Sequence, residues 1–150
     1  MLRIVSVVPV VLLALVVGCT DSTGPISLSL NRARWERQNP HDYSYTGERF
    51  CFCAPQGKVE VVVLSDAVYS ATVVATGAHL PTAEWYTVEQ LFDLAHQYFG
   101  EEDRIVKVEY DPDLGYPALI DVGCTGMADC GVRIEVNDLG PLPILLASAQ

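Results

Sequence analysis

Thr87-Val88-Glu89-Gln90-Leu91-Phe92-Asp93-Leu94-Ala95-His96-Gln97-Tyr98-Phe99-Gly100, followed at once by Ile105-Val106-Lys107-Val108-Glu109-Tyr110, decides the fold. Thr87 and Gln90 stand at the spacing of a capping box, in which each satisfies a backbone N–H that the first helical turn leaves without a partner. Val88, Leu91, Phe92, Ala95 and Phe99 then recur on one face at helical spacing, and Gly100 ends the run. Glu89, Asp93, His96 and Gln97 fall on the other face, where water is the expected partner. After Gly100 the period changes from 3.6 to 2: Val106, Val108 and Tyr110 share one side, and Lys107 and Glu109 the other. A helix therefore hands over to a half-buried strand.

Working outward, Asp111-Pro112-Asp113-Leu114-Gly115 reads as a turn, and Tyr116 to Val122 returns beside the strand. Val132, Ile134 and Val136 alternate with Arg133, Glu135 and Asn137 in a last strand. Upstream, Val59 to Leu64 and Val68 to Ala75 form two strands joined at Ser65-Asp66-Ala67, short enough for a hairpin. Asp42 to Cys53 is a further strand in which Tyr43 and Tyr45 share one parity and Phe50 and Phe52 the other, so a bulge near Gly47 is expected. Leu30, Ala33, Arg34 and Arg37 suggest a brief first helix that docks Trp35 and ends before Pro40. The order helix, three strands, helix, three strands predicts an α+β two-layer sandwich: an antiparallel sheet of about six strands, two helices on one face and the other face free. The shared element order of the halves is compatible with duplication, although no residue-by-residue repeat is visible.

The chain opens differently. Arg3 precedes an apolar run, Ile4 to Val17, and then Gly18 and Cys19. The run has roughly 14 residues against the roughly 20 of a spanning helix and carries Ser6 and Pro9. Val16-Val17-Gly18-Cys19 resembles a bacterial lipobox, which makes residues 1–18 a lipoprotein signal peptide and Cys19 the lipidation site. Acyl chains, at about 0.8 kcal/mol per buried methylene, would hold a soluble body on a membrane. Thr20 resembles the residue that sorts such proteins to the outer membrane by default. Residues 19–29 read as a lipidated flexible tether and 30–150 as one α+β domain. Removing residues 1–18, with Arg3 their one charge, leaves 132 residues and moves the formal charge from −10 to −11. Such a chain repels phosphate backbones, so nucleic acid is not an expected partner. A lipid surface and an envelope protein are.

Four cysteines remain in the exported body: Cys51, Cys53, Cys124 and Cys130. Exported cysteines generally pair, and the Thr125–Asp129 loop lets Cys124 meet Cys130, the favoured bridge. Cys51 and Cys53, on one strand face, would bond each other after a local kink or remain a vicinal thiol pair. The rival connectivity ties this pair to the C-terminal one and staples the halves together.

Trp35, Asp42-Tyr43-Ser44-Tyr45, Cys51-Phe52-Cys53, Tyr110-Asp111-Pro112 and Gly115-Tyr116-Pro117, in this order, resemble a domain-of-unknown-function family of bacterial envelope proteins, many of them lipoproteins. The resemblance covers most of the mature chain and implies fold and location, with no transferable activity. It departs from the family pattern after Asp121, where Cys124 and Cys130 stand in place of further acidic residues.

No catalytic constellation is legible. His41, His79 and His96 are scattered, no serine occupies a nucleophile elbow, and no glycine-rich loop offers to cradle phosphate. Asp111, Asp113, Asp121 and Asp129 fail the calcium-loop template, because Gly115 and Val122 stand where ligands belong. Neither a cofactor nor a resident metal is expected. The expectation is a non-enzymatic binding or structural module; the alternative is a thiol-based redox or soft-metal protein using Cys51 and Cys53.

Overall fold

A computed structural model describes residues 24–38, 40–51 and 56–142. In chain order it contains α1 (Pro25–Glu36), β1 (Tyr43–Cys51), β2 (Val59–Leu64), β3 (Ala67–Val73), a 3-10 turn (Thr82–Glu84), α2 (Val88–Phe99), β4 (Arg104–Tyr110), β5 (Pro117–Cys124) and β6 (Met127–Gly140). The six strands form one antiparallel sheet in the order β3-β2-β1-β6-β5-β4. Both helices bury residues in the same core, so they cover one face and the fold is the expected α+β sandwich.

Alternation decides which side chains enter that core. Tyr43 and Tyr45 of β1, Val59, Val61 and Val63 of β2, Val108 of β4, Ile120 and Val122 of β5, and Ile134 and Val136 of β6 all point under the helices and are buried. α2 adds Val88, Leu91, Phe92 and Ala95, each fully buried. The capping box forms as the sequence predicts: Thr87 Oγ1 accepts from the Gln90 backbone N–H at 3.3 Å, and Gln90 Oε1 accepts from the Thr87 N–H at 2.8 Å. Ser65 and Asp66, with φ of 50° and 63°, make the β2–β3 turn whose twist suits a two-residue hairpin.

Several expectations need correction. α1 begins at Pro25, so residues 25–29 of the expected tether are its first turns. Its core edge is Leu28 and Trp35; Leu30, expected there, faces outward at 64% exposure. The bulge near Gly47 is not needed, because alternation continues and puts Phe50 on the open face at 50% exposure. The irregularity lies instead on β6, where the three steps from Asn137 to Gly140 face the two from Ser44 to Thr46 and Asp138 takes φ 53°. Phe52 lies outside the described residues. Alternation puts position 47 on the core side, and glycine fits there because a Cβ would come within 2.7 Å of Trp85 Cζ3.

Topology also removes the duplication. Both halves lay their strands across the sheet as third, second, first. Since β6 is antiparallel to β1, corresponding strands of the halves run in opposite directions. Reversing direction while keeping that order requires turning one half over, which would carry its helix to the opposite face. Both helices lie on one face, so no rotation superimposes the halves and they are not copies of one folded unit.

Candidate functional site

Three places concentrate chemistry-bearing side chains, and the disulfide end of the sheet is the first. Cys124 closes β5, Cys130 lies on β6 across the hairpin, and the two are disulfide-bonded with Cα atoms 5.8 Å apart. This is the favoured pairing, and it removes the rival in which the C-terminal cysteines staple the halves. Arg104 at the start of β4 brings Nη1 to 2.8 Å from Cys124 Sγ, while its Nε donates to Glu101 Oε2 at 2.9 Å. Cys51, the last residue of β1, is also disulfide-bonded. Cys53 and Cys19 lie outside the described residues.

The second place is the seam where α1, α2 and β1 meet. Trp35 packs edge-on against Tyr43 at 5.5 Å and Tyr116 at 6.3 Å. Its indole N–H donates to Glu89 Oε1 at 2.7 Å. Arg32 Nη1 reaches Asp93 Oδ1 at 2.8 Å. Glu89 and Asp93, expected to face water, thus tie the two helices together. The tyrosines of β1 do similar work: Tyr43 Oη accepts from the Val88 N–H at 2.8 Å, and the Tyr45 hydroxyl donates to the Tyr86 carbonyl at 2.6 Å. Tyr43 therefore satisfies one of the N–H groups that α2 leaves open at its start. Burial holds both phenols well above their ordinary pKa, and it pushes Tyr110, stacked on Phe92, up to about 12. These aromatics are structural.

The third place is a cleft of about 510 Å³ between the β2–β3 hairpin, the 3-10 turn and α2. Asp66 and Val68 line one wall, Ala83, Trp85 and Tyr86 the next, and Asp93, Leu94 and Gln97 the helix side. Trp85 is 4% exposed, and its indole N–H has no hydrogen-bond partner among the described residues. Such a buried donor is a cost unless something accepts from it. Arg49 supports this wall: its guanidinium lies over the Trp85 ring at 5.9 Å and donates to the Glu84 carbonyl and carboxylate at 3.1 and 3.2 Å. At the rim, Asp66 accepts from His41 Nδ1 at 2.8 Å, which raises the imidazole pKa above 6.5. The sequence reading missed this cleft. Its one signal was the Trp85-Tyr86 pair placed directly before a capping box, where aromatics sit at the mouth of a helix.

The other suggestive residues are dispersed. Asp111 Oδ1 accepts from the backbone of Asp113 and Leu114 at 3.0 and 2.7 Å, the turn-capping role its sequence context indicates. Asp121 lies on the open sheet face opposite Arg133. His79 meets Thr72 Oγ1 at 3.2 Å on the far edge strand. The side chain of Asp129 lies outside the described residues. Along the open face, charged residues pair along and across strands: Arg133 with Glu135 on β6 and with Asp121 on β5, Lys107 with Glu109 on β4, and Lys58 with Glu48 of β1. On the same face Leu119, flanked across strands by Glu109 and Glu135, is enclosed to 9% exposure, and Val62, opposite Ser44, to 4%.

No curated protein and no solved structure matches the chain. The model of one family, a family of unknown function designated DUF6174, matches residues 27–141, from the first turn of α1 to the end of β6. That span takes in the seam, the cleft and the disulfide hairpin alike, and the chain belongs to the DUF6174 family of unknown function.

Proposed function

We propose that the protein is a bacterial envelope lipoprotein, anchored through acyl chains on Cys19, whose domain is a non-enzymatic binding or structural module. The observation that carries the anchoring is the run Val16-Val17-Gly18-Cys19 at the end of a short apolar leader. It stands just before the first helix at Pro25, which leaves room for little besides a link. No helix among the described residues is long and apolar enough to cross a membrane. The lipid would therefore do the anchoring. Thr20 directs the proposal to the outer membrane.

For binding, the cleft beside α2 is the surface that the geometry favours. It combines an aromatic wall with a buried N–H donor that has no partner among the described residues, a lining suited to a peptide segment that offers a carbonyl. Cys51 is disulfide-bonded, and in that state it offers no thiolate to a soft metal.

Mass spectrometry of the membrane-extracted protein should find an N-terminal, acylated Cys19, and Cys19→Ala should abolish acyl incorporation. An unmodified chain in the aqueous fraction contradicts the anchoring. Crosslinking in intact cells should join the protein to one envelope protein, and Ala83→Arg, which fills the cleft, should abolish that product. Survival of the crosslink in the variant moves the binding surface elsewhere. Thiol counting on the oxidised protein should find no free thiol; a reactive pair would restore the redox reading.

A further inference from the structure

Among the described residues, α1 is the helix whose outer side exposes large apolar side chains. At about 100° per residue, Leu28 and Trp35 fall on one side of the helix and are buried. Ile26, Leu30, Ala33 and Arg37 fall on the opposite side, and all four are exposed. Ile26 is 75% and Leu30 64% exposed, which makes a continuous apolar ridge over the first two turns, facing away from the protein. Apolar surface held in water at this extent ordinarily meets another apolar medium.

We infer that this ridge lies on the lipid bilayer to which Cys19 is tied, so that α1 is a membrane-contacting helix as well as a core helix. The inference rests on the proposed lipidation and adds an orientation to it. Two observations select lipid as the occupant. The first is reach: five residues, 20–24, separate Cys19 from Pro25, and fully extended they span at most ~18 Å. The start of α1 therefore stays within about two helix diameters, each ~10–12 Å, of the headgroup layer. The second is charge. From Cys19 to Arg37 the chain carries Arg32, Arg34 and Arg37 against Asp21 and Glu36, with Arg32 also paired to Asp93 of α2, whereas residues 38–150 carry 5 basic and 17 acidic residues. An anionic leaflet attracts the helix and repels the rest of the body, and both forces turn α1 toward the membrane.

The test uses the full lipidated protein reconstituted into vesicles of dibrominated phosphatidylcholine with an anionic phospholipid, because bromine quenches indole emission only at close range. Trp35 and Trp85 are buried and give a common background. Leu30→Trp places a reporter on the ridge, and Met127→Trp places one on the exposed β5–β6 hairpin, at the far end of β5 from the Gly115 contact with α1. The expected result is a several-fold loss of the added emission for Leu30→Trp and none for Met127→Trp, relative to vesicles without bromine. Acylated protein that cosediments with the vesicles yet leaves both reporters unquenched overturns the inference and leaves the lipoprotein reading standing. Failure to cosediment, with no acyl group on Cys19, overturns both. A chemical crosslink between two copies through α1, with the Leu30→Trp emission shielded but unquenched by bromine, overturns the inference in favour of a second copy.

Discussion

α1 and α2 are both 12 residues long and both lie on the same face of the same sheet, yet their sequences answer to different surroundings. α2 has a capping box, buries Val88, Leu91, Phe92 and Ala95, and turns its polar residues outward or toward α1. α1 has no side-chain cap, buries Leu28 and Trp35, and presents Ile26 and Leu30 to the outside. A helix with one apolar stripe belongs to one core; a helix with two opposed stripes belongs to a core and to something else. The difference also explains why α1 needs side-chain help to dock. The Trp35–Glu89 hydrogen bond, the Arg32–Asp93 pair and the Arg34 bond to the Pro112 carbonyl at 3.0 Å hold it. Gly115, at φ +83° and with a Cβ position only 2.8 Å from the Asn31 carbonyl, lets the β4–β5 turn approach it.

The largest effect should come from breaking the inner side of α1. Trp35→Ala removes a fully buried indole and leaves Glu89 without its donor, and about 3–5 kcal/mol of stability should be lost in chemical denaturation. Retention of near wild-type stability would mean that α1 is not part of the core. A smaller loss, about 1 kcal/mol, should follow Thr87→Ala, because one of two reciprocal capping bonds disappears while Tyr43 still holds the Val88 N–H. Smaller still, the paired change Ile26→Ser and Leu30→Ser should alter stability by no more than about 0.5 kcal/mol in denaturant, since both side chains are exposed. A loss comparable to Trp35→Ala would show that the ridge packs inside the protein after all.

The smallest effect is a titration. His41 is fully exposed, and its pKa is raised by the hydrogen bond to Asp66 and by that carboxylate's charge. A raised folded-state pKa means that the contribution is fully present below about 6.5 and is lost as pH rises through the folded value. NMR titration should place His41 above 6.5, and Asp66→Asn should lower it toward the ordinary value; an unchanged value would show that the contact does not persist in solution.

Periodicity made α2, β4 and the closing strand readable, because each turns one apolar face to the core, whereas β2 was legible as an apolar run in which Val62 is enclosed on the opposite face from Val61 and Val63. α1 was misjudged for the reason it is interesting: its outward Leu30 and Ala33 have the spacing of a core edge, and nothing local distinguishes the two stripes. Phe50 misled in the same way, since an aromatic on an open face breaks the rule that parity marks burial. The Cys124–Cys130 bridge was legible because six residues of separation keep the partners local. The cleft was not, since the hairpin, the 3-10 turn and α2 that shape it meet only in the folded chain.

Hydroxyl-radical footprinting of the protein in native membranes, where the proposed acyl anchor would hold it, tests the two-sided character of α1 most directly. Modification should be corrected for the intrinsic reactivity of each side chain. Ile26 and Leu30 should then be protected like buried Leu28, while Met127, 67% exposed on the distant hairpin, reacts freely. If Ile26 and Leu30 react in proportion to their exposure in the isolated fold, α1 faces water and the account of it as a membrane-contacting helix is wrong.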